Sequence, residues 1–134
     1  MIVILSIPSI PLVNSSIIIN EVMYDPGECK DSYCEWVELY NPNNFEINLS
    51  NCAILGKEIT NSTIESEEYF LIVRDTNNFT YNFGSLENFK ELSFSLTNSG
   101  KEIILEGNDN CSDSFDYTSY TDYADGNNHS LERR

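Results

Sequence analysis

The chain has 134 residues, with 22 acidic side chains against 7 basic ones, and 40% of its residues are hydrophobic. This length supports one domain with a hydrophobic core of its own. The formal net charge of −15 argues against binding to nucleic acid or to a bare anionic membrane, because both depend on clustered Lys and Arg side chains.

Residues 1–13 are largely apolar and carry no charged side chain. The run is shorter than the roughly 20 residues that span a bilayer, and Pro8 and Pro11 argue against a buried strand. It is typical of the apolar part of a secretory signal, although the usual basic start is missing. The sequence therefore predicts a signal peptide at 1–15, and two alternatives remain for its start, a truncated one or a misplaced one. It predicts a domain at 16–134 that is extracellular or on the cell surface and does not itself insert into the membrane.

The four cysteines lie at positions 29, 34, 52 and 111. In an exported chain, an even number of cysteines is typical of disulfides. Three pairings exist, and we favour Cys29 with Cys34, closing a short loop, and Cys52 with Cys111, joining distant segments. The alternative is a zinc site built from all four thiolates, but such sites usually use close C-x-x-C pairs, which are missing here.

Export would also expose the chain to glycosylation. The N-x-S/T pattern occurs at Asn14, Asn48, Asn61, Asn78, Asn110 and Asn128. Many of these matches are expected by chance in a chain so rich in Asn and Ser, so the pattern alone is weak support for a modified asparagine.

Short apolar or alternating runs, separated by turn residues, follow from position 16 onward. No segment has a sustained helical period, and this pattern is typical of an all-β sandwich. The predicted strands are 17–24, 34–40, 45–49, 52–55, 69–74, 92–96, 101–106 and 115–120. Residues 75–91 suit a short helix or an edge strand. Residues 97–100 predict a hairpin loop between the strands on either side of them.

The predicted second strand has two different faces. Val37 and Leu39 form an apolar face, and they alternate with Trp36, Glu38 and Tyr40. Two aromatic rings around a carboxylate are unusual for a face that is merely solvated.

Seven sequence blocks together resemble the lamin-tail domain, an immunoglobulin-like module of nuclear lamins and of many exported prokaryotic proteins. The blocks are I-I-I-N-E-V-M-Y-D-P (17–26), E-W-V-E-L-Y-N-P (35–42), I-N-L-S-N-C-A-I (47–54), Y-F-L-I-V (69–73), L-T-N-S-G-K-E-I-I-L (96–105), D-Y-T-S-Y (116–120) and G-N-N-H-S-L-E-R (126–133). They follow the family's order, which makes the set specific. Asn51-Cys52 stands where the family usually has Gly-Trp, so a half-cystine replaces a core aromatic residue.

The resemblance implies an all-β, immunoglobulin-like β-sandwich of about seven to nine strands without catalytic machinery. It implies a non-catalytic extracellular interaction or adhesion module, within a larger exported protein, whose partner is a protein or cell-surface component. The acidic composition argues against the DNA contact known for lamins. The alternative is an accessory domain of a secreted hydrolase or nuclease whose catalytic part lies outside this chain.

Five side chains are candidates for structural or interaction roles: Trp36, Glu38, Tyr40, Glu21 and Arg133. The first interpretation is an aromatic and charged patch that meets a partner. The second, which we favour, is that Arg133 folds back, pairs with Glu38 or Glu21 and fixes the end of the domain to the second strand.

Acidic loops suggest a weak calcium site at Asp122, Asp125 and Asn127. Calcium binds six to eight oxygen ligands, but the spacing of a calcium-binding loop is missing here. We favour solvated loops and predict no cofactor. His129 is the single histidine, and the sequence contains no nucleophile or phosphate-loop motif, so we predict no enzyme activity.

Overall fold

The computed structural model describes residues 15–133. Its strands are β1 (Ile18–Met23), β2 (Trp36–Tyr40), β3 (Ile47–Asn48), β4 (Cys52–Ile54), β5 (Lys57–Ile59), β6 (Thr63–Ile64), β7 (Tyr69–Val73), β8 (Phe89–Glu91), β9 (Glu102–Glu106), β10 (Asp113–Asp116) and β11 (Leu131–Glu132). Its helices are α1 (Asp31–Cys34), α2 (Thr76–Phe83) and a 3₁₀ helix at Thr118–Tyr123.

The strands form two main sheets and a small third one. The five-stranded sheet has the order β11-β1-β2-β7-β8, the four-stranded sheet β10-β9-β4-β5, and β3 pairs with β6. Within these sheets all neighbours are antiparallel except β7 and β8, which are parallel. The prediction of an all-β sandwich is confirmed. The structure has more strands than expected because it adds four strands of two or three residues, β5, β6, β8 and β11.

The core lies between the inner faces of the two main sheets. Strand β9 shows why the sequence folds this way, because Ile103 and Leu105 are buried while the residues between and beside them are exposed. Val37, Leu39 and Ile72 supply the facing side of the same core and are fully buried. Each such side chain contributes about 1.5–3 kcal/mol through burial.

Both predicted disulfides are present, and they differ greatly in the sequence separation of the two cysteines that they join. Cys52 of β4 pairs with Cys111, just before β10, across a sequence separation of 59. Cys29 pairs with Cys34 at the end of α1, across a separation of 5. The two bonds use all four thiols, so the zinc alternative has no thiolate left for it.

Three sequence predictions about elements are wrong. Residues 92–96 form no strand, although Phe94 and Leu96 are buried. The turn at 97–100 exists, with the Gly100 N–H donating to the Thr97 carbonyl at 3.2 Å, but it joins no hairpin. The last predicted strand lies earlier, as β10, and is followed by the 3₁₀ helix. Burial rather than strand pairing explains the apolar pattern at 92–96.

The predicted signal peptide at 1–15 lies outside the described residues except for its final serine, so the boundary stays a prediction. Ser15 already contacts the domain, because its backbone N–H donates to Asn43 Oδ1 at 2.9 Å. Of the helices between residues 15 and 133, none combines the length and the hydropathy that a membrane crossing requires.

Candidate functional site

Strand β2 carries the predicted site residues on the outer face of the five-stranded sheet. Val37 and Leu39 point into the core, and Trp36, Glu38 and Tyr40 alternate with them on the opposite face. The predicted division of this strand into two faces is therefore correct. The three outward side chains have different surroundings, and these decide what each can do.

Trp36 is covered by helix α2 and is only 9% exposed. Phe79 and Phe83 of α2 meet its indole edge-on, each with ring centroids 6.3 Å from that of Trp36. Asp75, the residue before the helix, caps its N-terminus, because its carboxylate accepts a hydrogen bond from the Asn78 N–H at 2.8 Å. Trp36 thus belongs to a second hydrophobic cluster beneath α2, rather than to an exposed patch.

Glu38 lies in a row of three carboxylates that crosses the sheet. Glu21 of β1 is opposite Glu38 on one side and opposite Glu132 of β11 on the other. The Asn20 amide donates to Glu38 Oε1 at 2.8 Å, and the Ser130 hydroxyl donates to Glu21. Partial burial raises the pKa of Glu38 above its ordinary value, and the carboxylates of Glu21 and Glu132 raise it further. Like charges opposite one another are unfavourable, so a cationic group near them would be stabilising.

Tyr40 stacks at a tilt on Tyr69 of β7, with ring centroids 4.8 Å apart. Tyr69 is 49% exposed and borders a shallow groove of about 280 Å³. The residues lining the groove are Glu38, Glu68, Tyr69, Leu71, Ser85, Glu87 and Asn88. This lining contains three carboxylates and no basic side chain. We call the groove and the row of Glu21, Glu38 and Glu132 the outer acidic face.

The predicted pairing of Arg133 with Glu21 or Glu38 is wrong. Its guanidinium pairs with Asp113 of β10, with an Nη1–Oδ2 distance of 2.7 Å, and lies 5.8 Å from the ring centroid of Phe115. The reason is strand alternation: the residue before Arg133 in the chain faces outward in β11, so the Arg133 side chain turns toward the other sheet. Arg133 still ties the end of the domain down, but to the four-stranded sheet.

Sequence reasoning missed the buried ion pair, which is formed by Glu35 and Arg74. Arg74 Nη1 lies 2.7 Å from Glu35 Oε2, and the two side chains are 23% and 1% exposed. The same oxygen accepts the Leu96 N–H at 3.1 Å. Burial raises the pKa of Glu35, against the opposing effect of these two hydrogen bonds. One signal was present in the sequence: an arginine directly after the apolar run Tyr69–Val73 in a chain with few arginines.

The weak calcium candidates lie after the 3₁₀ helix or within it. Asp125 is close to Asp25, and burial first, then the hydrogen bond with Asp125, raises the pKa of Asp25. The Asn127 carboxamide is engaged locally, because its oxygen accepts the His129 N–H at 3.0 Å. Within residues 15–133, no group of three or more His, Cys, Asp or Glu side chains is placed to hold a metal ion. The favoured solvated loops and the weak calcium alternative at Asp122, Asp125 and Asn127 both stay predictions from the sequence.

The fold and the site define an immunoglobulin-like β-sandwich whose exposed aromatic and acidic groups lie on a sheet face. A family model described as Lamin Tail Domain matches residues 12–119, and the chain belongs to that family. This confirms the resemblance seen in the sequence, and the family consists of non-catalytic immunoglobulin-like domains. No significant match is found among curated proteins or among solved structures.

Proposed function

We propose that this chain is a non-catalytic interaction module of an exported protein and that its outer acidic face binds a basic segment of another protein. The observation that carries the proposal is the composition of the groove, in which Glu38, Glu68 and Glu87 surround the exposed ring of Tyr69. A Lys or Arg side chain placed there would meet three carboxylates and an aromatic face at once.

The state of Glu38 supports a cationic partner. Its pKa is raised by burial and by two neighbouring carboxylates. The ionised form of Glu38 is therefore destabilised in the free domain. A cation in the groove would remove part of that destabilisation. Attraction over a longer distance comes from the whole-chain charge of −15, which speeds the approach of a basic partner.

Export and surface attachment belong to the same proposal. Two disulfides in a small acidic domain support an oxidising compartment, because such bonds are rare in reducing cytosol. The apolar start of the chain agrees with this. A basic surface protein or cell-wall-associated protein is the partner chemistry that we propose for the module.

The test is calorimetric titration of the domain with an oligolysine peptide, compared with an uncharged peptide of equal length. We expect binding of the basic peptide only, and an affinity that falls as salt is raised. The variant E68K/E87K should weaken binding on the order of tenfold, since two favourable charges become repulsive.

The matched control is E102K/E106K, which makes the same change in net charge on the outer face of the four-stranded sheet. We expect this control to weaken binding much less than E68K/E87K does. Equal losses in both variants would mean general attraction to an acidic domain and would overturn the proposed face.

A further inference from the structure

We propose that Asn61 is the acceptor of an N-linked oligosaccharide, and that the fold disfavours the other described asparagines that match the pattern. The proposal concerns a loop that the binding face does not use. In the cell, glycosylation of Asn61 rests on the export that is part of the proposed function. The test on the purified domain does not need that assumption.

Asn61 lies at the tip of the loop between β5 and β6. It is exposed and has a φ of +48°, a left-handed conformation that Asn adopts more readily than most residues. Among the described residues its carboxamide makes no hydrogen bond. Thr63, which supplies the required hydroxyl two residues later, is also exposed and likewise makes no side-chain hydrogen bond there.

The loop is held in place by contacts that leave Asn61 free. The Thr60 carbonyl accepts hydrogen bonds from Lys90 Nζ at 2.8 Å and from the Ser62 hydroxyl at 3.0 Å. Thr63 begins β6, which has two residues and pairs only with β3 in the described sheets. A transferase can therefore bind Asn61 and Thr63 by displacing the short β3–β6 ladder and the hydrogen bond from the Leu49 N–H to the Ser62 carbonyl.

The matching asparagines in helix α2 and near the end of the domain already form hydrogen bonds within the fold. Asn78 lies inside α2, and its amide donates to Asp75 Oδ1 at 3.0 Å. The Asn128 carboxamide oxygen accepts the Glu28 N–H at 3.2 Å, and the hydroxyl two residues later donates to Glu21.

The remaining two asparagines, Asn110 and Asn48, are each followed directly by a buried residue. Asn110 is half-buried and precedes Cys111, which is bonded to Cys52. Asn48 is exposed, but its oxygen accepts the Ser50 N–H at 2.8 Å, and the residue between them is fully buried. Of the described sites, only the loop at Asn61 combines exposure with a free carboxamide.

A membrane-bound transferase catalyses the reaction, in which a glycan is transferred to Asn61. The co-reactant is an oligosaccharide linked to a lipid through a diphosphate. Asn61 Nδ2 attacks the anomeric carbon, a new N–C bond forms, and the C–O bond to the diphosphate breaks. The amide nitrogen loses one proton to a base of the transferase, and the lipid diphosphate leaves with the bonding electron pair. Nothing is oxidised or reduced.

The experiment treats the folded, disulfide-bonded domain with a purified single-subunit oligosaccharyltransferase and its lipid-linked oligosaccharide. A free acceptor peptide in the same tube is the internal standard, and the domain is analysed once that peptide is fully converted. We expect intact mass to show one added glycan and peptide mapping to place it on Asn61. Asn61→Gln and Thr63→Ala should abolish the addition, whereas Thr63→Ser and Asn48→Gln should retain it.

An unmodified domain beside a fully converted peptide would overturn the proposal, as would a glycan mapped mainly to Asn48, Asn78, Asn110 or Asn128. These outcomes are independent of the proposed function, because neither the peptide-binding assay nor its variants involve Asn61.

Discussion

At the residue scale, the two arginines that form ion pairs in the described part of the chain have very different surroundings. Arg74 pairs with a carboxylate that is 1% exposed, whereas Arg133, itself 37% exposed, pairs with Asp113 near the surface. Removing a partner from a buried pair leaves an uncompensated charge, while a surface pair contributes little.

Arg74→Ala should therefore lower the free energy of unfolding by about 3 kcal/mol, because it leaves the Glu35 carboxylate buried and unpaired. Urea unfolding followed by far-UV circular dichroism measures this difference. The double variant E35Q/R74A should recover part of the loss, since the buried group is then neutral and can still accept the Leu96 N–H.

Arg133→Ala is the matched comparison, and its cost should be below about 1 kcal/mol. A loss as large as that of Arg74→Ala would contradict the structural difference between the two pairs. The sequence predicted a pair between Arg133 and Glu38 or Glu21, whereas Arg133 pairs with Asp113. The partner could not be identified from the sequence, because strand alternation and the packing of the two sheets decide which side chains meet Arg133.

At the scale of elements, helix α2 and strand β2 form one unit through the aromatic cluster around Trp36. Because Trp36 is the single tryptophan, its fluorescence reports this contact without interference. Phe79→Ala should lower the free energy of unfolding by about 3 kcal/mol and shift the Trp36 emission to longer wavelength as water reaches the indole.

Tyr81→Ala is the control on the same helix, because Tyr81 is 89% exposed. We expect neither stability nor emission to change in that variant. If Tyr81→Ala shifted the emission as far as Phe79→Ala does, the arrangement of α2 over Trp36 would be wrong.

The two disulfides should also differ in what they contribute to stability. A long closed loop restricts the unfolded chain more than a short one. The double variant C52S/C111S, which opens the separation of 59 residues, should lose about 4 kcal/mol. C29S/C34S, with a separation of 5, should lose about 2 kcal/mol. Thermal unfolding of the two variants in parallel checks the order, and the reverse order would contradict it.

An element could be predicted from the sequence where its apolar pattern reflects pairing within a sheet. It could not be predicted where the same pattern reflects burial without strand pairing. Strands β1, β2, β7 and β9 follow from alternating or continuous apolar runs. Residues 92–96 have the same pattern but pack as an irregular segment, with the Leu96 N–H donating to Glu35 rather than to a neighbouring strand. The ambiguous stretch 75–91 contains both alternatives, a helix and an edge strand, separated by a short loop.

At the scale of the whole molecule, several carboxyl groups have raised pKa values, which sets the pH dependence of stability. Burial raises the pKa of Asp25, Glu35 and Glu38 in the folded chain. In the unfolded chain the pKa values of Asp and Glu are about 4. Just above that pH, the folded chain therefore holds more protons than the unfolded one. Stability must then rise as pH falls toward the unfolded pKa values, and it must fall as pH rises through the folded ones.

We therefore expect thermal stability to be higher at mildly acidic pH than at neutral pH. Below about pH 4 the trend should reverse, because the pKa values of Asp75 and Asp116 are lowered by local hydrogen bonds and their contribution is then lost. Asp125→Asn should flatten the rise, since it removes a neighbour that raises the pKa of Asp25. A melting temperature that falls steadily from neutral to acidic pH would contradict this account.

The pattern of apolar runs and the family resemblance identified the fold class, the cysteine positions favoured the correct disulfide pairs, and the composition gave the acidic character of the whole molecule. The position of the proposed binding groove could not be predicted, because Glu68 and Glu87 come from segments far from β2 in sequence and meet Glu38 only in the folded sheet. Of the residues singled out in the E-W-V-E-L-Y-N block, Trp36 is covered by helix α2, whereas Glu38 lines the proposed groove.

Binding of a basic segment to the outer acidic face is tested most directly by mapping amide chemical shifts, residue by residue, during titration with the oligolysine peptide. We expect the largest shifts at Glu38, Tyr69 and Glu87, with little change on the outer face of the four-stranded sheet. Shifts concentrated at Glu102, Ile104 and Glu106, or spread evenly over both sheets, would contradict it.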